Sequence, residues 1–338
     1  MSNNTEWAFL YYTGARGKTQ GRIGVSRHET AETTTWEFRD PGALPRFYKG
    51  FTGCWFPVSS FAGILLPVKR ERKCIMIDFN RKKGFICDMD GVLYHGNRVL
   101  PGAVEFIDWL QRENKEYLFL TNNSGYTPKE LRQKLARMGL EVPEEHFYTS
   151  ALATAAFLKE QAPGCSVYAI GEAGLLNALY DAGITMNDVN PDYVIMGEGK
   201  AYSLDTLTKA TNLVRKGAKL IGANSDISGP IEDGIAPACR ALVAPIELAT
   251  GKQAYFCGKP NPLMMRTGLN ILGCHSGEAV MVGDRMDTDV ISGMECGMST
   301  VLVLSGVSTR ETVSDFAYRP TVVLDGVGDI ARLADSQK

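Results

Sequence analysis

Short apolar runs alternate with longer amphipathic segments along most of this chain, from about residue 76 onward. The run Gly84–Cys87 predicts a buried strand, and the amphipathic segment 102–113, entered through a proline, predicts the helix that follows it. Segment 128–138 begins at Pro128 and stops just before Gly139, which is typical of a helix. This alternation indicates an α/β fold with parallel strands and helices on both faces of the sheet.

The same patterns place the remaining elements. The other predicted strands are 117–120, 147–149, 166–170, 193–196, 219–223, 254–257, 279–282, 300–304 and 321–324. The other predicted helices are 151–160, 174–181, 204–215 and a segment around 246–249. The pattern restarts after Pro163-Gly164, and the run 254–257 is the point where we expect the first unit to resume. We therefore expect a core in two parts, 76–164 and 255–338, with a second α/β unit, 165–254, inserted between them.

The first 75 residues differ from the rest. They carry 11 Lys and Arg against 6 Asp and Glu, so this extension is basic while the remainder is acidic. No sustained helical or alternating pattern runs through residues 1–75, which fit a small accessory domain, a flexible tail, or upstream sequence translated from a misplaced start. The third hypothesis rests on Lys69-Arg70-Glu71-Arg72-Lys73, which an unbroken purine run can encode. Two codons separate that run from Met76, which is the layout of a bacterial ribosome-binding site before a start codon.

Bulk properties exclude several classes of function. The composition is that of an ordinary globular protein, with 44% hydrophobic residues and a net charge of −2, and it has no dense basic stripe, so we expect no nucleic-acid polymer as a partner. No apolar run is long enough to span a bilayer, and the amino terminus lacks the layout of a secretory signal. The eight cysteines form no C-x-x-C pair, which indicates free thiols in a cytosolic protein. A homo-oligomer is compatible with these features.

Residues that can handle a phosphoryl group follow four of the apolar runs. They are Asp88 and Asp90, then Thr121-Asn122-Asn123, then Lys259, and finally Asp284 and Asp289. In an open parallel sheet, ligands bind at the carboxyl ends of the strands, so we expect these residues to share one site. Two pairs of Asp with a Thr and a Lys suit Mg²⁺ and a phosphoryl group.

A metal ion is needed for a quantitative reason. A carboxylate that attacks a phosphate dianion at ~3.5 Å meets a repulsion of about 9 kcal/mol at an effective dielectric constant of ~20. Charged hydrogen bonds, each contributing about 1.5–3 kcal/mol, do not easily offset it. A divalent cation shared by carboxylates and a phosphate oxygen reverses the local field, and Mg²⁺ prefers such oxygen ligands.

These residue types suggest a role for each of the four aspartates. Asp88 is the expected nucleophile, which forms an aspartyl-phosphate and splits hydrolysis into two steps. Asp90 is placed to protonate the leaving oxygen and later to deprotonate water, and its backbone carbonyl could also reach the metal. Asp284 supplies a metal carboxylate from another strand, and Asp289 orients Asp284 or a bound water. The expected metal site therefore comprises Asp88, Asp90, Asp284 and Asp289.

The uncharged residues and the lysine are assigned to the phosphoryl group. Thr121 offers a hydroxyl, and Asn122 and Asn123 offer the amides that follow it, as donors to the phosphoryl oxygens. Lys259 is the positive charge that compensates the group being transferred. We therefore expect Lys259 to act both in phosphate binding and in catalysis.

The ordered motifs D-x-D-G-V, T-N-N, G-K-P and G-D-x-x-x-x-D resemble those of the haloacid dehalogenase-like (HAD) phosphatases. The inserted unit resembles the cap of the class IIA branch, and the similarity, closest to NagD-like nucleotide phosphatases, spans about residues 76–330. The resemblance implies a Rossmann-like parallel-sheet core with an inserted α/β cap, and a Mg²⁺-dependent aspartyl-phosphate route. It carries the nucleophile to Asp88, the acid/base to Asp90 and metal binding to Asp284. This chain has Asn123-Ser124-Gly125 where NagD has Tyr-Pro, so nucleotide preference stays open.

We expect a Mg²⁺-dependent phosphomonoester hydrolase for small phosphorylated metabolites, with nucleoside monophosphates favoured. A sugar-phosphate or 4-nitrophenyl-phosphate-type phosphatase is the first alternative. A phosphotransferase that passes the phosphoryl group to an alcohol would use the same aspartyl-phosphate. A non-catalytic phosphate-binding protein is a further alternative, although a pure sensor needs neither a nucleophile nor a general acid.

Two segments of the inserted unit are ambiguous. Asn224-Ser225-Asp226 ends a predicted strand before a loop rich in Gly and Pro. Either this loop contacts the leaving group, which would make Asn224 and Asp226 specificity residues, or it is a turn that faces water. Gly197-Glu198-Gly199-Lys200 lacks the G-x-x-x-x-G-K spacing of a phosphate loop and predicts a turn after a strand.

Overall fold

The structure is a computed structural model that describes residues 77–200, 202–231 and 234–338, together with five strands nearer the amino terminus. The chain forms two compact units, Met1–Cys74 and Ile75–Lys338. Most of residues 1–75 lie outside the described residues. The hypotheses of an accessory domain, a flexible tail or a misplaced start therefore stay predictions.

The amino-terminal unit contains two small antiparallel sheets. Strand β1 (Thr5–Thr13) pairs with β2 (Gln20–Glu29), and β2 pairs with β3 (Thr34–Arg39). Strand β4 (Tyr48–Lys49) pairs with β5 (Trp55–Phe56). Alternating apolar and polar residues are what reveal a half-buried strand in a sequence, and these segments lack a sustained alternation, so the strands were not predicted.

The carboxy-terminal unit alternates strands and helices. Its described strands are β6 (Gly84–Cys87), β7 (Tyr94–His95), β8 (Arg98–Val99), β9 (Glu116–Thr121), β10 (Phe147–Thr149), β11 (Ser166–Ile170), β12 (Thr185–Met186), β13 (Tyr193–Met196), β14 (Lys219–Gly222), β15 (Ser228–Ile231), β16 (Gly234–Pro237), β17 (Tyr255–Phe256), β18 (Ala279–Gly283), β19 (Ser299–Val303) and β20 (Val322–Leu324). Its described α-helices are α1 (Ala103–Arg112), α2 (Pro128–Arg137), α3 (Ser150–Gln161), α4 (Ala173–Asp181), α5 (Leu204–Arg215), α6 (Cys239–Thr250), α7 (Pro262–Leu272), α8 (Ile291–Glu295) and α9 (Gly328–Ser336).

The first sheet of this unit has six parallel strands in the order β10-β9-β6-β18-β19-β20. The central strands β6 and β18 are buried along their whole length. Helices cover both faces of such a sheet, which is why these strands are continuous apolar runs rather than alternating ones. The α/β fold and the strands of this sheet, predicted to within one residue at each end, are confirmed.

The second sheet has five parallel strands in the order β12-β11-β13-β14-β17. Here one prediction is wrong. The run 254–257 was expected to return the chain to the first sheet, but β17 pairs with β14, through Ile221 and Gly222. An apolar run shows that a strand is buried and does not show which neighbour it pairs with, so the sequence could not choose between the sheets. The chain returns to the first sheet through α7 and β18.

Local signals explain several helix ends. In α2 the Thr127 hydroxyl accepts the Glu130 N–H, while the Glu130 carboxylate accepts the Thr127 N–H, a capping box. Helix α7 was not predicted, although it begins with Pro262 and the Asn261 side chain caps it. Helix α9 and most of α6 were not predicted either, and α6 contains Pro245, which argues against a helix in a sequence.

Apolar side chains join the two sheets. One buried cluster contains Ile86 and Leu118 from the first sheet together with Val167 and Ile195 from the second. The second sheet therefore packs against the first through a shared core. Among the described helices, none is both long enough and apolar enough to cross a membrane.

Candidate active site

Asp88 and Lys259 form the centre of the site. Asp88 follows β6, and its backbone N–H donates to Val282 of β18 at 2.8 Å, which fixes the residue between the two central strands. Its Oδ1 lies 2.7 Å from the Lys259 ammonium nitrogen, which also lies 2.7 Å from Oδ1 of Asp289. The Lys259 side chain is only 2% exposed. One buried cation thus compensates two buried carboxylates, a costly arrangement that is weak support for stability and typical of functional sites.

The two sheets contribute different parts of the site. Asp88 and Asp284 follow strands of the first sheet, as predicted, whereas Lys259 comes from the carboxyl end of β17 in the second sheet. The expectation that Lys259 follows a strand of the first unit is therefore corrected. The ion pair between Lys259 and Asp88 joins the carboxyl ends of both sheets.

The loop after β18 holds two carboxylates in a buried setting. Asp284 Oδ2 accepts the Val307 N–H at 2.7 Å, and Asp289, in a π-helical turn at Met286–Val290, is fully buried. Asp289 Oδ2 accepts the Arg285 N–H at 3.1 Å. A Cβ at Gly91, whose φ is 78°, would overlap the Asp284 carboxylate. The glycine of the D-x-D-G-V motif therefore leaves room for a carboxylate from another strand.

Three carboxylates could hold a metal ion. Asp88, Asp284 and Asp289 each offer an oxygen, and these atoms lie within 4.8 Å of one another. Asp284 Oδ1 is buried and has no hydrogen-bond partner among the described residues. Such an orphaned oxygen is costly in a protein interior, and a hard divalent cation would satisfy it. The residues therefore fit the predicted metal.

Burial and mutual repulsion raise the pKa values of these carboxylates. Burial, with repulsion from Asp289, raises the pKa of Asp284 to about 7. Burial also raises the pKa of Asp88 well above its ordinary value, against the lowering effect of Lys259. Burial lowers the pKa of Lys259, but Asp289 and Asp88 outweigh it and the pKa is raised. The site thus holds more negative charge than its one buried lysine neutralises, which favours a bound cation.

Asp90 stands apart from this acidic group. Its carboxylate is half-exposed and lies 3.4 Å from Nδ1 of His95 on the hairpin β7–β8. Burial raises the pKa of Asp90, while the charges of His95 and Lys134 lower it. A carboxyl group with a raised pKa at an open position suits proton exchange with a leaving group or water. Its predicted contribution to the metal, through the backbone carbonyl, stays a prediction.

At the end of β9, the residues predicted to bind phosphate differ in which of their polar groups are already engaged. The Thr121 hydroxyl accepts the Asn123 N–H at 3.1 Å, which leaves its own proton free to donate. The Asn122 side chain is occupied: its Oδ1 accepts the Lys259 N–H at 2.7 Å, and its Nδ2 donates to the Lys259 carbonyl at 3.1 Å. The side chain of the exposed Asn123 accepts the Gly125 N–H. The Asn122 side chain therefore binds the Lys259 backbone, whereas in Asn123 the backbone N–H is engaged by Thr121 and the side-chain NH₂ group is the donor that suits the predicted phosphate contact.

The ambiguous loop of the second sheet lies against the site. The Asp226 carboxylate accepts the Asn122 side-chain amide at 3.0 Å. The buried Asn224 donates to the Asn122 carbonyl at 2.6 Å. Asn224 therefore does not face water, and both residues contact the segment predicted to bind phosphate. Their role in specificity stays a prediction.

Sequence reasoning missed Ser124 and Glu198. Ser124 is fully buried, and its backbone N–H donates to the Glu198 carboxylate at 2.9 Å. The turn predicted at 197–200 is present after β13, but it had been given no function. The signal that could have found Glu198 is its position, because it follows the carboxyl end of a parallel strand, where ligand sites collect.

Family models match both parts of the first sheet. A model described as haloacid dehalogenase-like hydrolase matches residues 85–185, and one described as HAD-hydrolase-like matches residues 256–330. The first match contains Asp88, Asp90 and Thr121. The second contains Lys259, Asp284 and Asp289. All the candidate site residues of the first sheet and Lys259 therefore lie within the matched ranges.

Several phosphatases are similar to this chain over most of their length. The dihydroxyacetone phosphatase of Corynebacterium glutamicum is 47% identical over 73% of this chain and 90% of its own. The ribonucleotide monophosphatase NagD of Escherichia coli is 42% identical over 73% of this chain and 98% of its own, and its solved structure has a TM-score of 0.70. The structure of a 4-nitrophenylphosphatase from Thermotoga maritima is 33% identical, with a TM-score of 0.74, and covers 77% of this chain and 100% of its own.

Proposed function

This chain belongs to the haloacid dehalogenase-like hydrolases and is a phosphomonoester hydrolase, and we propose that it acts through an aspartyl-phosphate on Asp88. The observation that carries the proposal is the buried contact between Asp88 and Lys259. Lys259 holds Oδ1 of Asp88 in one orientation. Oδ2 of Asp88 accepts no hydrogen bond from the described residues, which leaves one carboxylate oxygen for attack on phosphorus.

We propose Mg²⁺ as the metal, with Asp88 and Asp284 as protein ligands. The unpaired Asp284 Oδ1 supports this assignment. When bound, the ion would neutralise charge between the carboxylates and a phosphate oxygen. Asp289 is the third candidate ligand, but its oxygens already contact the Lys259 ammonium and the Arg285 N–H, so we assign it to positioning the lysine and the loop.

Proton transfer is assigned to Asp90. Protonated Asp90 donates to the oxygen of the leaving alcohol as the aspartyl-phosphate forms. The resulting carboxylate then takes a proton from the water that attacks the phosphorus, so Asp90 returns to its first state. Lys259 and the Thr121 hydroxyl stabilise the negative charge on the phosphoryl oxygens during both steps.

Small phosphorylated metabolites are the proposed substrates, with nucleoside monophosphates favoured. The relatives support both this class and its alternative, because one is a ribonucleotide monophosphatase and another a dihydroxyacetone phosphatase. The contact of Asp226 with Asn122 brings the second sheet to the site, which supports a role for Asn224 and Asp226 in recognising the leaving group. We propose that the inserted unit is a cap that excludes bulk water from the reaction.

Location and assembly are further proposals. Cys87, Cys165, Cys239 and Cys257 are buried free thiols, which supports a reducing, cytosolic compartment. Oligomerisation, and the origin of residues 1–75, remain predictions.

Phosphate release from a panel of small phosphomonoesters tests the proposal. We expect turnover with Mg²⁺ that is abolished by EDTA and by Asp88→Asn, and the ranking of substrates then separates nucleotides from sugar phosphates. Added acceptor alcohols test transfer. A phosphotransferase would release more of the substrate's own alcohol than free phosphate, because the acceptor takes part of the phosphoryl groups. Equal activity of Asp88→Asn and wild type would overturn the assignment.

A further inference from the structure

Glu198 occupies the contact between the two sheets without any role in the proposed chemistry. Its Oε2 accepts both the backbone N–H of Ser124, at 2.9 Å, and the Ser124 hydroxyl. Its Oε1 accepts the side-chain amide of Asn224. The Ser124 hydroxyl oxygen in turn accepts the Glu198 backbone N–H at 2.9 Å. Through three hydrogen bonds the carboxylate joins the end of β13 to Ser124 and to Asn224, and the Glu198 backbone N–H adds a fourth bond, to Ser124.

These bonds continue to Lys259. Asn224 donates to Glu198 and, at 2.6 Å, to the backbone carbonyl of Asn122. The Asn122 side chain then holds the backbone of Lys259 from both sides, as acceptor of its N–H and donor to its carbonyl. A continuous path of hydrogen bonds thus runs from Glu198 to the lysine that contacts Asp88.

The chemistry of the path requires a carboxylate. Every partner of the Glu198 carboxylate is a hydrogen-bond donor. No Lys, Arg or His of the described residues forms an ion pair with Glu198. A glutamine has one acceptor oxygen and one NH₂ group, so it would place a donor against a donor on one of the two sides. Hydrogen bonds to a charged acceptor are stronger than hydrogen bonds between neutral groups, so the negative charge of Glu198 strengthens these contacts.

We propose that Glu198 is a positioning residue that fixes the phosphate-binding segment 121–124 and, through Asn224 and Asn122, the ammonium of Lys259. This inference rests on the proposed function, because it assigns Glu198 to the same reaction. Glu198 contacts neither Asp88 nor the acidic group. Its effect on catalysis therefore passes through the residues that it holds.

The test compares Glu198→Gln with Glu172→Gln in the full-length protein. Glu172 is a matched control, because it also follows a strand of the second sheet and accepts a backbone N–H, from Lys200, but it has no bond to Asn224 or Ser124. Misplacing a catalytic group by about 1 Å can lower a rate by roughly 100-fold. We expect Glu198→Gln to lower kcat by about 10- to 100-fold and to change KM by less than about threefold, since transition-state contacts are lost. Glu172→Gln should keep the wild-type kcat.

Inhibition by orthovanadate, a mimic of the transferring phosphoryl group, separates positioning from a general loss of folded protein. Weaker inhibition of Glu198→Gln, by about the factor lost in kcat, supports positioning. Unchanged kcat and unchanged inhibition in a folded Glu198→Gln variant overturn the inference, as does an equal loss in Glu172→Gln. The Asp88→Asn variant tells failure of the proposed function from failure of this inference. If Asp88→Asn is as active as wild type, the reaction itself is misassigned, whatever the result for Glu198→Gln.

Discussion

The ammonium nitrogen of Lys259 lies 2.7 Å from Oδ1 of Asp88, although the two residues follow strands of different sheets. The contact is buried, so each charge depends on the other. The relative placement of the two sheets therefore decides whether the proposed nucleophile is held in place.

Replacing Lys259 should affect both stability and activity. Lys259→Met leaves Asp88 and Asp289 buried without a cation, and breaking a buried ion pair in this way costs about 3–5 kcal/mol. We expect an inactive protein whose free energy of unfolding is lower by that amount in EDTA and partly recovered with Mg²⁺. Urea unfolding measures this change. Lys252→Met, at an exposed lysine, is the control and should stay within about 0.5 kcal/mol of wild type.

The metal-free protein should lose stability as the pH rises towards neutrality. The pKa of Asp284 is about 7 in the folded protein and about 3.8 in the unfolded chain, so the folded state binds the extra proton between these values. The contribution of Asp284 to the free energy of unfolding is therefore present below that window and is lost as the pH rises through it. Unfolding in EDTA should show this fall between about pH 4 and pH 7 in wild type and a smaller fall in Asp284→Asn.

The exposed Asp287 provides the control for that pH dependence. It lies in the same loop and pairs with Arg285. Asp287→Asn should keep the wild-type fall in stability. If Asp284→Asn and wild type show the same pH dependence, the raised pKa of Asp284 is wrong.

Asp90 should matter most for poor leaving groups. An alkyl phosphate needs its leaving oxygen protonated, whereas 4-nitrophenolate leaves readily without a proton. We expect Asp90→Asn to slow the formation of the aspartyl-phosphate by about 10²–10⁴-fold with alkyl phosphates and by much less with 4-nitrophenyl phosphate. Pre-steady-state release of the two alcohols measures that step. Equal losses for both substrates would exclude Asp90 as the general acid.

Alanine variants of two glycines with positive φ distinguish the effect of displacing a metal ligand from the effect of backbone strain. Gly91 and Gly96 have φ values of 78° and 60°, but a Cβ overlaps Asp284 only at Gly91 and meets nothing within 4 Å at Gly96. Gly96→Ala should lose about 1–2 kcal/mol of stability from backbone strain, and Gly91→Ala should lose at least as much, because its Cβ must also displace the Asp284 carboxylate. Gly91→Ala should also need at least about tenfold more Mg²⁺ for half-maximal activity, as expected for a displaced ligand. An unchanged Mg²⁺ requirement in Gly91→Ala would show that Asp284 does not bind the ion.

The site residues at strand ends were predictable, because ligands bind at the carboxyl ends of the strands in an open parallel sheet. Apolar runs place Asp88, Thr121 and Asp284 at the carboxyl ends of parallel strands, and the order of the motifs brings them together. The pairing of β17 with β14 was not predictable, because the partner of a strand depends on contacts distant in the sequence. For that reason the second sheet, and not the first, delivers Lys259.

The residues that hold the site residues in place could not be predicted from the sequence either. The T-N-N motif predicts that Asn122 offers a donor to phosphate, but it does not reveal that the Asn122 side chain binds the Lys259 backbone. Glu198 and Ser124 are 74 residues apart and carry no spacing that joins them. Bonds between the two sheets become visible only once the chain is folded.

The stereochemical course at phosphorus tests the aspartyl-phosphate most directly. The phosphoryl group of the substrate is made chiral with oxygen isotopes for transfer to an alcohol acceptor, or with sulfur and oxygen isotopes for transfer to isotopically labelled water, and the configuration of the product is determined. Two successive in-line displacements, the first by Asp88, predict net retention of configuration. Net inversion would mean that water or the acceptor attacks the substrate directly, and it would contradict the role proposed for Asp88.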